Sequence, residues 1–302
     1  MPPVRRSATG LKVADPPKEE KDTSVNEAEA PAVDDQKPDP PAPVHPWSSP
    51  ASVIDAQGLS MMLFSLAGIG KTTLGTTMLH SRDGGRMLIV NFDEELRSIS
   101  DLSGDDVMVW PSANTKPKPG KISSWQSIES FLARLQAGRH PFKYIMFDTL
   151  NSLYDKFAFP DVKARHPNAA DPRQLYGEAN DMVLRIVGDF CAIAREQGLN
   201  VLFTAHAEEK QVGENGPIYI RPKVTPGTIL GINQRVSMIG YLAPPIMGVR
   251  TLQLAASAKV ATKLHQPRTG VRLPEKIKDP DLGKIIDTIK HKVPYPVKKD
   301  SE

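Results

Sequence analysis

The sequence contains one segment that constrains its fold more than any other, Ser65-Leu66-Ala67-Gly68-Ile69-Gly70-Lys71-Thr72-Thr73. This segment matches the P-loop pattern Gly-x-x-x-x-Gly-Lys-Ser/Thr at every fixed position except the first, where Ser65 stands in place of glycine. An apolar run, Met61 to Leu66, precedes the motif, and the residues from Thr73 to His80 have a helical pattern. The sequence therefore predicts a strand, a phosphate-binding turn and a helix in that order, which is a unit of an α/β domain.

The residue types of this motif suit the binding of a triphosphate. Gly68 and Gly70 let the backbone turn so that successive N–H groups point at phosphate oxygens. The ammonium of Lys71 is expected to reach the β- and γ-phosphates, and the hydroxyl of Thr72 to bind Mg²⁺. The predicted cofactors are therefore ATP and Mg²⁺. The predicted nucleotide-binding residues are Ser65, Ala67, Gly68, Ile69, Gly70, Lys71, Thr72 and Thr73.

Three further strand ends supply candidate catalytic groups. The apolar run 144–147 leads into Asp148, which with Thr72 is predicted to bind the metal. The run 88–92 ends in Asp93-Glu94-Glu95, and either Asp93 or Glu94 is expected to polarise the attacking water, with no basis for choosing between them. The run 200–205 leads into His206, which is expected to sense the γ-phosphate because open α/β sheets bind ligands at the carboxyl ends of their strands.

Apolar runs alternate with helical patterns along the middle of the chain, which favours a parallel sheet with crossover helices. Later strands are expected at about 238–242 and 251–254, and helices are expected after Ser124 and up to Gly198. Because the runs are continuous rather than alternating, the strands are expected to be covered by helices on both faces. The predicted fold class is α/β, a P-loop core with a mostly parallel central sheet flanked by helices.

Composition divides the chain into three parts. Residues 1–47 are rich in proline and poor in large apolar side chains, which predicts a disordered arm. Residues 48–258 form the predicted core, and residues 259–302 form a segment in which basic residues outnumber acidic ones, expected to carry a short helix and a tail. The single cysteine excludes a disulfide framework, and no apolar stretch is long enough for a membrane span. A cytoplasmic protein with no membrane partner is expected.

The order of these parts resembles the phage-encoded RecA-like P-loop ATPases, the single-strand-annealing or recombination ATPases with an AAA-type nucleotide-binding domain. The resemblance covers roughly residues 52–290 and continues downstream of the strand that ends at His206. Its downstream parts are the strand Arg235–Leu242, the basic residues Lys259, Lys263 and Arg268, and the segment Asp279-Pro280-Asp281-Leu282, which resembles the last short helix of that family. Two residues depart from the family pattern, Ser65 in place of glycine and Asp93 where a glutamate is usual. These departures affect the expectation of ATP hydrolysis more than that of nucleotide binding.

This resemblance implies an ATPase, stimulated by DNA, that binds single-stranded DNA through two mobile loops in recombination, annealing or repair. The loops would be residues 156–173, with Lys163, Arg165 and Arg173, and residues 207–231, with Lys210, Arg221 and Lys223. Basic residues beside aromatic ones suit a single strand because they offer both charge and stacking. The family also implies a homo-oligomer in which Lys259 or Lys263 of a neighbour reaches the γ-phosphate, a single-strand-binding protein or replication partner, and the bacterial host cytoplasm as the location.

Two alternatives remain open. A P-loop kinase of a small metabolite would use residues 156–173 as a lid, with Arg165 and Arg173 holding the transferred phosphoryl group. A nucleotide-binding adaptor with low turnover, acting in DNA replication or packaging, would account for the departures at Ser65 and Asp93.

Overall fold

The computed structural model describes residues 57–93, 97–102, 104–111, 124–169, 171–211, 216–266 and 270–296. The predicted arm at residues 1–47 lies outside these residues, as do Glu94 and Arg268.

A ten-stranded sheet forms the centre of the described chain, with the main strand order β10-β8-β7-β1-β5-β4-β2-β3, β6 paired to β5 and β9 paired to β7. The strands are β1 (Ser60–Ser65), β2 (Arg86–Asn91), β3 (Val107–Trp110), β4 (Phe142–Asp148), β5 (Asn200–Gln211), β6 (Ile218–Pro222), β7 (Met238–Ile246), β8 (Val249–Gln253), β9 (Lys263–Leu264) and β10 (Lys276–Lys278). Six neighbouring strands of this order pair in parallel, namely β7, β1, β5, β4, β2 and β3. The other four, β6, β8, β9 and β10, pair antiparallel. The predicted α/β fold with a mostly parallel central sheet is confirmed.

Helices cover both faces of this sheet. They are α1 (Lys71–Thr76), which continues as a 3₁₀ turn (Thr77–His80), then α2 (Trp125–Gln136), α3 (Phe159–Arg165), α4 (Pro172–Gln197), α5 (Pro226–Arg235) and α6 (Leu282–His291). A short helical turn (Leu150–Ser152) and a π-helical turn (Leu153–Ala158) join β4 to α3. No helix within the described ranges is long and apolar enough to cross a bilayer.

Two hydrophobic clusters, one on each face of the sheet, hold these layers together. Strand β1 sends Met62 and Phe64 into the cluster under α2 and α4, and Met61 and Leu63 into the cluster under α1 and α6. All four side chains are at most 1% exposed, so β1 is buried on both faces as its continuous apolar run predicts. The P-loop that follows β1 is thus anchored in the middle of the sheet.

The structure corrects the two predicted mobile loops. Residues 156–173 are largely helical, because Leu153, Ala158 and Val162 are buried on the core side of the turns that they form. The described part of residues 207–231 forms a β-hairpin, in which β5 continues to Gln211 and pairs with β6, followed by α5. The described parts of both segments therefore form regular secondary structure where mobile loops were predicted.

The segment after residue 258 belongs to the same sheet. Strand β9 pairs with β7, and β10 pairs with β8. Its predicted short helix is present as α6, capped by Asp281, and Leu282, Ile285 and Ile286 of that helix are fully buried. The segment expected to be a basic appendage therefore completes the core on the α1 face.

Candidate functional site

The P-loop leaves β1 and enters α1 through two glycines in the left-handed region. Gly68 has φ 74° and Gly70, the residue before α1, has φ 92°, so both positions favour glycine for conformational reasons. Ser65, where the motif has glycine, is the last residue of β1. Because its backbone is extended, it needs no glycine, and its buried hydroxyl donates to the carbonyl of Leu66 at 2.9 Å.

Lys71 lies at the first position of α1 with its side chain folded against the start of the loop. Its ammonium donates to the carbonyl oxygens of Leu66 (3.1 Å) and Ser65 (3.4 Å). The residue is only 6% exposed, and this burial lowers the pKa of its ammonium, while the carboxylates of Asp148 and Asp93 act in the opposite direction. The lysine is thus a buried cation that an incoming anion would stabilise.

Asp148 is held by two hydroxyls from different elements. The Thr72 hydroxyl on α1 donates to its Oδ2 at 2.6 Å, and the Thr204 hydroxyl on β5 lies 2.6 Å from its Oδ1. A hydroxyl and a carboxylate are oxygen donors of the kind that Mg²⁺ takes, usually with water and substrate phosphates completing its coordination. Thr72 and Asp148 therefore fit the predicted metal site.

Asp93, just after the carboxyl end of β2, lies beside Asp148, whose backbone carbonyl accepts from the Asp93 N–H at 3.2 Å. Its carboxylate accepts hydrogen bonds from the hydroxyls of Ser152 and Thr149, and its Oδ2 lies 4.0 Å from Nε2 of His206. Since Glu94 falls outside the described residues, Asp93 is the acidic candidate that the structure places at the site.

His206 connects this site to the segment that follows β5. Its backbone N–H donates to Asn151 Oδ1 at 2.7 Å, and its carbonyl accepts from the N–H of Lys223 at 2.7 Å. The amide of Asn151 donates in turn to the carbonyl of Lys223. Burial, together with the nearby ammonium of Lys71, lowers the pKa of the His206 imidazole, while the carboxylates of Asp93 and Asp148 act in the opposite direction.

These side chains surround one cavity of about 570 Å³ at the carboxyl edge of the sheet. Its lining brings together predicted residues of the P-loop, Asp93, Asp148 and His206 with five residues that the sequence reading did not place at this site, Arg97, Ser98, Thr149, Ser152 and Lys156. Ser152 and Lys156 follow Asp148 at intervals of four, so a helical reading of that segment would have placed them on the same face. Lys156 donates to the carbonyl of Phe92 at 3.0 Å, and so lies here rather than in a separate loop.

The predicted DNA-binding residues fall into two groups. Lys163, Arg165 and Arg173 lie on α3 and at the start of α4, and Arg165 is engaged by Asp161 (2.9 Å) and Glu178. Lys210, Arg221 and Lys223 lie on or directly after the β5–β6 hairpin, where Arg221 is paired with Glu208 at 2.6 Å while Lys210 and Lys223 are exposed.

The two predicted trans-acting lysines differ in their surroundings. Lys259 is exposed. The ammonium of Lys263 turns inward and donates to the carbonyls of Val236 (2.7 Å) and Asn233 at the end of α5, and burial lowers its pKa. Lys263 therefore caps a helix of its own chain in this structure, which leaves Lys259 as the better candidate.

Comparison with known proteins gives one family match. The AAA_24 family, described as an AAA domain, matches residues 57–263, which contain the P-loop, Asp93, Asp148 and His206. Among curated proteins none matches significantly. Similar solved structures include the RadB recombinase (15% identity, 66% of this chain and 81% of that one, TM-score 0.37). They also include a KaiC-like protein of the hyperthermophilic archaeon Pyrococcus horikoshii OT3 (13% identity, 70% and 83%, TM-score 0.38).

Proposed function

This chain belongs to the AAA_24 family of AAA domains, and we propose that it is a Mg²⁺-dependent ATPase whose turnover responds to single-stranded DNA in recombination, annealing or repair of the phage type. The observation that carries the ATPase proposal is the contact of Thr72 with Asp148, 2.6 Å apart beside the buried ammonium of Lys71. Family membership makes nucleotide binding the general expectation, and this contact indicates where the nucleotide and its metal ion would bind.

Each polar group of the cavity has a role in this proposal. Thr72 and Asp148 would hold Mg²⁺, and the bound ion would supply neutralising charge to the phosphates. Lys71 leaves the loop carbonyls to bind the same phosphates. Asp93 accepts a proton from, or orients, the attacking water, and the hydroxyls of Ser152 and Thr149 fix its carboxylate for that task.

The hairpin that follows His206 supports the DNA part of the proposal. Strand β5 carries His206 within the site and then continues outward to Lys210, and the return strand β6 leads to Lys223, whose N–H is bonded to His206. A change at the γ-phosphate could thus reach two exposed cations, Lys210 along the strand and Lys223 through one backbone hydrogen bond. Tyr219 lies opposite Lys210 in the hairpin register, so an aromatic side chain and a cation are neighbours there, as binding of a single strand requires.

We also propose that the protein acts as a homo-oligomer, in which Lys259 of a neighbouring copy approaches the nucleotide. The exposure of Lys259 and the family resemblance support this proposal. A single-strand-binding protein or another replication protein is proposed as a partner on the same ground.

The decisive experiment measures ATP turnover with and without single-stranded DNA, over a salt series from roughly 50 to 200 mM. We expect Mg²⁺-dependent turnover that rises with DNA, with the stimulation lost at high salt because phosphate contacts are screened. The variant Lys71→Ala should lose nucleotide binding, whereas Lys276→Ala, an exposed lysine on β10, should not. Retained binding by Lys71→Ala would contradict the phosphate site.

The adaptor alternative is favoured by one observation, the short side chain of Asp93 held by two hydroxyls. It predicts tight ATP binding with negligible turnover in the presence of DNA. The kinase alternative loses its proposed lid, because residues 156–173 are largely helical and Arg165 is bonded to Asp161 and Glu178.

A further inference from the structure

Two arginines outside the P-loop motif lie on opposite sides of the loop. Arg97 begins a 3₁₀ turn (Arg97–Ile99) after β2 and lines the cavity together with Gly68 and Asp93. Arg250 is the second residue of β8, and its Nη1 lies 3.1 Å from where a Cβ on Gly70 would stand. Within the ranges that the structure describes, neither guanidinium has a side-chain hydrogen bond or an ion pair.

A guanidinium without a carboxylate beside a phosphate-binding loop has a specific chemical use. Arginine presents several N–H donors in a planar fork that matches phosphate oxygens. Among the described residues, the cations Lys71, Arg97 and Lys156, which line the cavity, and Arg250, which lies beside Gly70, outnumber the lining carboxylates Asp93 and Asp148 by two. A Mg²⁺-bound ATP carries a residual charge of about −2, once the charge of the ion is included. The two lysines and the two carboxylates among these groups sum to zero charge. Arg97 and Arg250 therefore supply the +2 that complements this ligand.

The strand order fixes which end of the nucleotide each arginine faces. The sheet runs β8-β7-β1-β5-β4-β2, with the P-loop leaving β1 near its centre. The metal ligand Asp148 is the last residue of β4 and the base Asp93 follows β2, so the γ-phosphate lies towards that side. Arg97 follows β2 on this side. Arg250 lies on the other side, where β8 runs antiparallel to β7 and so begins at the same edge of the sheet.

We propose that Arg97 and Arg250 of the same chain bind the two ends of the triphosphate, Arg97 at the γ-phosphate and Arg250 at the α-phosphate. This inference rests on the proposed function. It makes Arg97 the cation that stabilises the transferring phosphoryl group, so that Lys259 of a neighbour is not required for that task. Arg250 binds substrate and product equally, because the α-phosphate is unchanged in ADP.

The two positions predict different kinetic signatures. Arg97→Gln should lower the single-turnover rate of hydrolysis about 100-fold or more, with the affinity for ADP unchanged, because the charge that it meets develops at the γ-phosphate. Arg250→Gln should raise the Kd for both ADP and a non-hydrolysable ATP analogue about tenfold, with the single-turnover rate at saturation preserved. Arg250→Lys should recover part of that affinity, since it keeps the charge but not the fork.

The experiment measures three quantities for each variant: the Kd for ADP, the Kd for the ATP analogue, and the single-turnover rate at saturating ATP. Arg86→Gln, an exposed arginine at the opposite edge of the sheet, is the matched control and should equal the wild type in all three. Melting temperatures without nucleotide should be alike for all variants, because both arginines lack internal partners.

Either of two results would overturn the inference. The first is unchanged kinetics and affinity in both arginine variants, and the second is an Arg250→Gln defect that is confined to the ATP analogue and spares ADP. Failure of the proposed function looks different, because the wild-type protein itself would then bind neither nucleotide.

Discussion

Thr72 Oγ1 lies 2.6 Å from Asp148 Oδ2, although 76 residues separate them in the sequence. The strand of Asp148 is not the neighbour of the P-loop strand, because β5 lies between β4 and β1. Thr204 on that intervening strand approaches the other oxygen of the same carboxylate, also at 2.6 Å. The position of Asp148 is therefore fixed by three elements, which orients its carboxylate before any ligand arrives.

Asp148→Asn tests the metal site. The amide keeps an oxygen acceptor for one hydroxyl but loses the negative charge, so we expect Mg²⁺-dependent turnover to fall at least about 100-fold while the fold is retained. The affinity for ATP should also lose its dependence on Mg²⁺ concentration. Calorimetric titration of ATP at several Mg²⁺ concentrations, with a turnover assay, measures both effects.

Asp101→Asn is the control for this variant, because it removes an exposed carboxylate that does not line the cavity. It should leave Mg²⁺ dependence and turnover unchanged. Normal turnover in Asp148→Asn would mean that another acid binds the metal, and the assignment of this strand end would be wrong.

His206 gives a prediction about pH. Burial and the ammonium of Lys71 lower the pKa of its imidazole, while Asp93 and Asp148 raise it and Lys223 lowers it further. Between that lowered pKa and the unfolded value of about 6.5, the unfolded chain binds more protons at this residue than the folded one. The free energy of unfolding should therefore rise with pH through this interval. Above the interval His206 is neutral in both states, and its titration no longer changes the stability.

His206→Gln removes that contribution. The stability difference between wild type and variant should differ between about pH 7.5 and a pH below the unfolded pKa of about 6.5, with the wild type relatively less stable at the lower pH. Urea unfolding at the two pH values measures this, and NMR titration of the ring gives its pKa directly. The substitution His140→Gln, at a histidine distant from Lys71, is the comparison. An unshifted pKa for His206 would contradict the proposed environment.

The sequence predicted the centre of this molecule well, for physical reasons. Strands β1, β4 and β5 are continuous apolar runs, and such runs between helical patterns have few alternatives to a buried parallel strand. Because their carboxyl ends meet at one edge, the order of motifs was enough to bring Lys71, Asp148 and His206 together.

The peripheral parts were not predictable in the same way. Residues 156–173 and 207–231 contain only short apolar stretches, Phe157-Ala158-Phe159 and Ile218-Tyr219-Ile220 among them, so their helices and hairpin depend on contacts with the core more than on local pattern. Strand β3 was missed because it is short and Met108 on it is exposed. Arg250 escaped notice because its proximity to Gly70 arises from the antiparallel return of β8, which no local motif encodes.

Gly283 tests how the last helix supports the P-loop helix. A Cβ at this position of α6 would lie 2.5 Å from the backbone N of Ser81 and 2.7 Å from the carbonyl oxygen of Thr77. Because these are backbone atoms, Gly283→Ala must move α6 away from the turn after α1, at a cost of about 2 kcal/mol. We expect the melting temperature to fall by about 4–8 °C.

Gly177→Ala is the matched control, since Gly177 is also a helical glycine but a Cβ there would meet no atom within 4 Å. Alanine has the higher helix propensity, so this variant should gain about 0.5–1 kcal/mol. Equal effects of the two substitutions would contradict close packing of α6 against the P-loop helix.

The β5–β6 hairpin supplies the test of DNA binding. Arg221 is paired with Glu208, so its charge is largely satisfied within the hairpin, whereas Lys210 and Lys223 are exposed. We expect Lys210→Glu with Lys223→Glu to weaken single-stranded DNA binding and to reduce the slope of log affinity against log salt by about 0.7 for each lost phosphate contact. Fluorescence anisotropy with a labelled oligonucleotide over a salt series measures both quantities.

The double reversal Lys163→Glu with Arg173→Glu, on α3 and α4, tests whether the other predicted group binds DNA. Binding that survives the hairpin reversal but not the helical one would move the DNA site to α3 and α4, and binding unaffected by either would remove single-stranded DNA from the proposed function.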